Sequence, residues 1–72
     1  MLLRQIRIHK KLKQIQVARE IGVSQVTISQ WENGASYPQL SKIPKLAKIY
    51  GVTADEILHA CEETHVQKTS SA

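Results

Sequence analysis

The chain has 72 residues, a formal net charge of +4, 42% apolar residues and one cysteine. That length sets a single domain near the lower limit for a core without staples, and the lone cysteine excludes an internal disulfide or a cysteine-rich metal framework. The apolar residues are spread along the chain, Met1-Leu2-Leu3 runs straight into Arg4, and no apolar run approaches the roughly 18 residues of a membrane span; a folded, cytoplasmic protein is expected.

No segment alternates with period 2 and Phe is absent, so strands are not expected. Leu3, Ile6 and Lys10 share a helical face and Leu12 closes the segment, which predicts a first helix over about 2–11. Val17, Ala18 and Ile21 predict a second over about 14–21, ended by Gly22, which is free to take positive φ. Ser24 is a good N-cap for a third, which runs to about Asn33 and stops at Gly34. Ala35-Ser36-Tyr37-Pro38 reads as a loop. With Ser41 as N-cap, Pro44 falls where no N–H donor is needed, predicting a fourth helix over about 42–50 with 39–41 irregular; the alternative is a start at Leu40 with a kink at Pro44. Thr53-Ala54-Asp55-Glu56 is a capping box opening a fifth helix, about 54–62, that carries Ile57, Leu58 and Cys61. The segment 64–72, THVQKTSSA, is polar and aperiodic and is expected to fray as a tail behind a domain at 1–63. Five short helices with short links describe a compact all-α domain.

Charge is unevenly placed. Residues 1–13 hold Arg4, Arg7, Lys10, Lys11 and Lys13 with no acid, and residues 55–63 hold Asp55, Glu56, Glu62 and Glu63 with no base. The asymmetry points to a polyanion at one end of the fold, or else to ordinary solvated helix faces.

The third helix bears on the choice. At about 100° per residue, Ile28 and Trp31 turn to the core, flanked by Thr27 and Glu32. Gln25, Val26, Ser29, Gln30 and Asn33 turn outward. That face carries no charge and many amide and hydroxyl groups. Side-chain amides bond bidentately to adenine in the major groove, and a small apolar group meets a thymine methyl. Ser24 at the N-cap puts Gln25 and Val26 in the first turn, the end that enters the groove in helix-turn-helix proteins. The plainer reading is that glutamine is a tolerated helix former.

Gln14 to Gly34, QIQVAREIGVSQVTISQWENG, resembles the helix-turn-helix unit of the phage-repressor and Cro-type regulators, the XRE-like (lambda-repressor-like) family. Ala18 matches the small residue at the helix crossing, Gly22 the turn glycine, and Val17, Ile21, Val23 and Ile28 the apolar positions. Trp31-Glu32-Asn33-Gly34 matches the family's aromatic-or-aliphatic residue followed by Glu-Asn-Gly. Outside the unit, Leu3-Arg4-Gln5-Ile6-Arg7, Leu46 to Val52 and Asp55-Glu56-Ile57-Leu58 resemble the remaining helices, so the likeness covers about residues 3–58.

The resemblance implies base contacts by Gln25, Val26 and Gln30. It implies backbone contacts by Gln14, at the start of the second helix, and by Asn33, with Lys13, Thr27, Ser36 and Tyr37 as further backbone contacts. It also implies an ion pair, Arg7 with Glu32, joining the first helix to the third. Departures are Lys11 where many members have Gly, Lys13 in place of a capping Ser, Thr or Asn, Pro44, and Ile8 and Ile15 where polar residues are usual.

His9, His59, His65 and Cys61 lack a familiar zinc spacing, so no metal or other cofactor is expected. There is no nucleophile constellation, pocketed carboxylate pair or glycine-rich phosphate loop, so no enzyme is expected. Leu3 and Ile6 are claimed by the core, which leaves the basic segment no broad apolar face for a membrane. The expectation is a sequence-specific double-stranded DNA-binding repressor, acting as a homodimer on a near-palindromic site, with Leu58, Cys61, Val66 or Ile15 at the dimer contact. An antitoxin or protein-interaction module on the same fold is the alternative. No sensor domain or small-molecule ligand is expected in so short a chain, so control would come from concentration, a partner or proteolysis.

Overall fold

The computed structural model describes residues 1–70, with side chains through Val66. Helices follow one another as α1 (Leu3–His9), α2 (Gln14–Ile21), α3 (Gln25–Glu32), a 3₁₀ turn (Leu40–Lys42), α4 (Ile43–Tyr50) and α5 (Ala54–Ser70). Among the described residues there is no strand.

Each short helix is closed by local bonds, which matters because helices of this length are marginal alone. Neither Leu2 nor Lys13 has a capping acceptor in its side chain. Gln5 Oε1 accepts the Leu2 N–H at 2.8 Å and Gln16 Oε1 accepts the Lys13 N–H at 2.7 Å. Ser24 Oγ accepts the Thr27 N–H at 3.1 Å, the cap expected from sequence. α2 ends at Gly22 with φ 89°, and the Val23 N–H returns to the Ala18 carbonyl at 3.0 Å.

α1 stops two residues earlier than its periodicity predicts. Lys11 takes φ 59°, its N–H bonds to the Ile8 carbonyl at 2.9 Å, and the Leu12 N–H bonds to the Arg7 carbonyl at 3.1 Å. This is the C-terminal turn normally built on glycine, made here by a lysine. Ser41 is not the N-cap of α4. It lies inside the 3₁₀ turn, and Lys42 precedes α4 without a side-chain cap. Helical geometry begins at Leu40, as the alternative reading had it, but as a 3₁₀ turn. Pro44 then falls in the first turn of α4, where its missing N–H costs nothing.

α5 differs most from expectation. Thr53 Oγ1 accepts the Glu56 N–H at 3.1 Å, and the helix then continues past residue 62 to Ser70. Thr64 is 5% exposed. Its hydroxyl donates to the Ala60 carbonyl at 2.7 Å and accepts the Leu3 N–H at 3.3 Å, so it closes α1 onto α5. Residues 71–72 of the expected tail lie outside the described residues.

The core is built from all five helices. α2 packs on α3, α4 on α5, and α1 on both α3 and α5. Ile21, Ile28, Leu46, Tyr50 and Ile57 are fully buried at its centre. Cys61 is 5% exposed, which corrects its place among the candidate dimer contacts: its side chain belongs to the core. Burial pushes the Cys61 thiol up to about 11, and burial likewise raises the Tyr50 hydroxyl above its ordinary range.

A largely buried ion pair crosses this frame. Arg7 Nε donates to Glu32 Oε2 at 2.6 Å and Nη2 to Glu32 Oε1 at 3.1 Å, while Nη1 donates to the Leu12 carbonyl at 2.8 Å. The side chains are 12% and 4% exposed. Hydrogen bonding to Glu32 raises Arg7 above its usual range, against the desolvation that would lower it.

Replacing Lys11 with Gly relieves a left-handed lysine and is expected to stabilise the fold by about 0.5–1 kcal/mol in denaturant unfolding. Glu32→Ala strands the Arg7 charge and is expected to cost about 3–5 kcal/mol, whereas replacing both partners with apolar residues of similar volume costs less than that single change. Above an ordinary thiol value of 9.0, the unfolded chain loses the Cys61 proton that the folded chain keeps to about pH 11. Stability therefore falls as pH rises through that window. Unfolding midpoints should drop more shallowly with pH in Cys61→Ala, since Tyr50 alone then carries the slope.

Candidate nucleic-acid interface

α3 is gripped from one side. Ile28 and Trp31 are 1% and 6% exposed and anchor it in the core. On the other side Gln25, Gln30 and Asn33 are exposed, Ser29 is half-buried, and Val26 is 65% exposed. Asn33 Nδ2 donates to Ser29 Oγ at 3.3 Å, which folds the last polar residue back along the helix. The surface is a row of amide and hydroxyl groups around one valine.

The carboxylate of Glu32 organises part of that row from beneath. Besides two bonds from Arg7, its Oε1 accepts Gln14 Nε2 at 3.0 Å. Because the Gln14 amide nitrogen faces the carboxylate, its oxygen faces the other way, and it accepts Gln25 Nε2 at 3.4 Å. A relay thus runs from the core ion pair through the half-buried Gln14 to Gln25, the first residue of α3. Only an amine edge can approach Gln14 there, so the Gln25 oxygen and its second N–H are left for an external partner.

Around this row sit the other residues singled out from sequence. Lys13 is exposed at the start of α2. Thr27 is half-buried, with its hydroxyl 3.0 Å from Ser24 Oγ. Ser36 and Tyr37 are exposed in the loop after α3, whose Ala35 N–H is tied to the Gln30 carbonyl at 2.9 Å. Tyr37 and Thr27 meet at a hollow also lined by Gln39 and Lys42. These last two were missed in the sequence, where Lys42 read only as the first residue of a helix.

Lys10 of the basic N-terminal segment lies away from this surface. α1 packs on α5, and Lys10 lines a hollow there with Glu56 and His59, so bases and acids remote in sequence are close in space. Ile8 and Ile15 are 52% and 38% exposed. Among the described residues no group of three His, Cys, Asp or Glu could hold a metal ion, and no helix is long and apolar enough to cross a membrane.

The comparisons with known proteins agree with this geometry. A family model described as Helix-turn-helix matches residues 3–57. The chain is 36% identical over 69 residues to the HTH-type transcriptional activator BcrR of Enterococcus faecalis, covering 96% of this chain and 34% of that protein. It is also 36% identical over 69 residues to the cryptic phage CTXphi transcriptional repressor RstR of Vibrio cholerae, covering 96% of this chain and 62% of that protein. The chain therefore spans less than two thirds of either relative. No solved structure matches it significantly. Two crossed short helices, a glycine corner between them and a match over most of the length lead to one assignment: the chain belongs to the helix-turn-helix family.

Proposed function

We propose that the protein is a sequence-specific double-stranded DNA-binding transcription regulator that inserts α3 into the major groove. The observation that carries this is the uncharged, exposed row on α3 with Gln25 held in one orientation by Gln14. With its nitrogen turned to Gln14, Gln25 offers an acceptor and one donor, the complement of adenine N6 and N7. Gln30 reads a second position, and Val26 meets a thymine methyl. Gln14, Asn33, Lys13, Thr27, Ser36 and Tyr37 fix the register on the DNA backbone. Such contacts position the protein without reading sequence.

Repression is the favoured direction. The chain covers the larger share of the relative named a repressor, and a bound domain of this size blocks a site by occupancy alone. Two copies on a near-palindromic site would double the few base contacts of one helix, with Leu58, Val66 and Ile15, which are exposed, as the candidates for the dimer contact. A cytoplasmic location follows from this role. The alternative, a protein-interaction module such as an antitoxin, calls for an α3 face more apolar or more charged than the one present.

Selection from a random duplex library, followed by binding against salt, tests the reading. Affinity should fall steeply with salt as phosphate contacts release counterions; a flat response would sink it. Gln25→Ala is expected to lose about 1–3 kcal/mol at one base pair per half-site and to relax preference there. Equal weakening on every sequence would move Gln25 to the backbone set.

A further inference from the structure

The loop from Gly34 to Pro38 leaves the end of α3 and carries Ser36 and Tyr37. It begins at Gly34, with φ 75°, a residue that by itself restricts the chain little. Its first half is tied to α3, since the Ala35 and Ser36 N–H groups both reach the Gln30 carbonyl, at 2.9 and 3.4 Å. A second tie arrives from far along the sequence. His65 Nδ1, on the part of α5 beyond the expected helix end, lies 3.4 Å from the Gly34 carbonyl. A carbonyl only accepts, so this nitrogen carries the hydrogen and donates. The same imidazole packs against Tyr37, with ring centroids 5.1 Å apart and planes tilted by 38°. One side chain therefore holds both the start of the loop and its aromatic residue, at a separation where ring pairs attract.

We propose that this turn of α5 is a brace for the DNA-facing loop, with His65 as a positioning residue that holds Tyr37 for contact with the DNA backbone. The inference rests on the reading of Tyr37 as a backbone contact. It adds to that reading a residue outside the segment matched by the family model, 3–57. Tyr37 is 51% exposed, so beyond the His65 ring much of it is open to a ligand. Any event that unwinds or covers the end of α5 would thus change DNA affinity without touching α3.

The test measures binding of His65→Ala, Tyr37→Ala and the double variant to a duplex recovered by selection and to random-sequence duplex DNA. His65→Ala is expected to bind both about fivefold more weakly, about 1 kcal/mol, with base preference unchanged. Tyr37→Ala is expected to lose at least as much, and the double variant no more than Tyr37→Ala alone. His65 is exposed, so its replacement opens no core. If His65→Ala nevertheless lowers the melting temperature, His65→Phe keeps the ring contact and should bind between wild type and Tyr37→Ala. Wild-type affinity in His65→Ala, or additive losses in the double variant, overturns the brace while leaving Tyr37 at the backbone. Wild-type affinity in Tyr37→Ala removes the backbone role of Tyr37 itself and the brace with it.

Discussion

The ion pair between Arg7 and Glu32 joins α1 to α3 at a point 4% exposed on the acidic side, and three further features hang on it. Arg7 also holds the Leu12 carbonyl and so shapes the corner between α1 and α2. Glu32 orients Gln14, and Gln14 orients Gln25. A buried pair of this kind gains little stability over an apolar isostere, because the Coulombic attraction is offset by desolvation. Its value here is directional. An apolar contact would hold the helices together equally well but could not tell the Gln14 amide which end to turn outward.

That direction matters more in a small fold than in a large one. A chain of 72 residues has little surplus stability, and its helices are of seven or eight residues apart from α5. The structure compensates with local closures: glutamines that reach back to the N-terminal N–H groups of α1 and α2, a serine on α3, and left-handed residues after α1, α2 and α4. Lys11 is the exception that keeps a side chain where glycine would be easier. It is exposed, as is Lys13, so both put positive charge near the start of α2.

The helix-turn-helix was legible because each of its parts has a local cause. Ser24 caps, Gly22 turns left-handed, and the 3.6-residue spacing of Ile28 and Trp31 fixes which face is hidden. The rest needed long-range information. α5 was expected to end near residue 62 because its apolar period gives way to polar residues. Thr64 in fact continues the buried stripe of Ile57, Ala60 and Cys61, its hydroxyl satisfied by Ala60 and Leu3. A threonine with both bonds made internally packs like an apolar residue, and only the fold shows where those bonds go. How the charges lie in space needed the fold as well. Packing of α1 on α5 brings Lys10 beside Glu56, and linear separation says nothing of that. The relay from Glu32 to Gln25 depends on three separate helices and could be guessed from the resemblance only as separate roles.

The number of outward side chains bears on how many copies must act together. On the proposed reading Gln25, Val26 and Gln30 would make at most three base-reading contacts, and a good bidentate contact is worth about 1–3 kcal/mol of discrimination. Val26 has no hydrogen bond to offer, so on that reading one domain would reach only the lower part of the roughly 4–10 kcal/mol that separates specific from non-specific binding. The proposed phosphate contacts by Lys13, Ser36 or Tyr37 would raise affinity for every sequence alike and would not close that gap. A second α3 on an adjacent half-site, as proposed, would close it, because its base contacts would add to the first set at the cost of ordering one interface. The exposed Leu58 and Ile15 lie outside the α3 row, so a second copy meeting there would leave both α3 faces open.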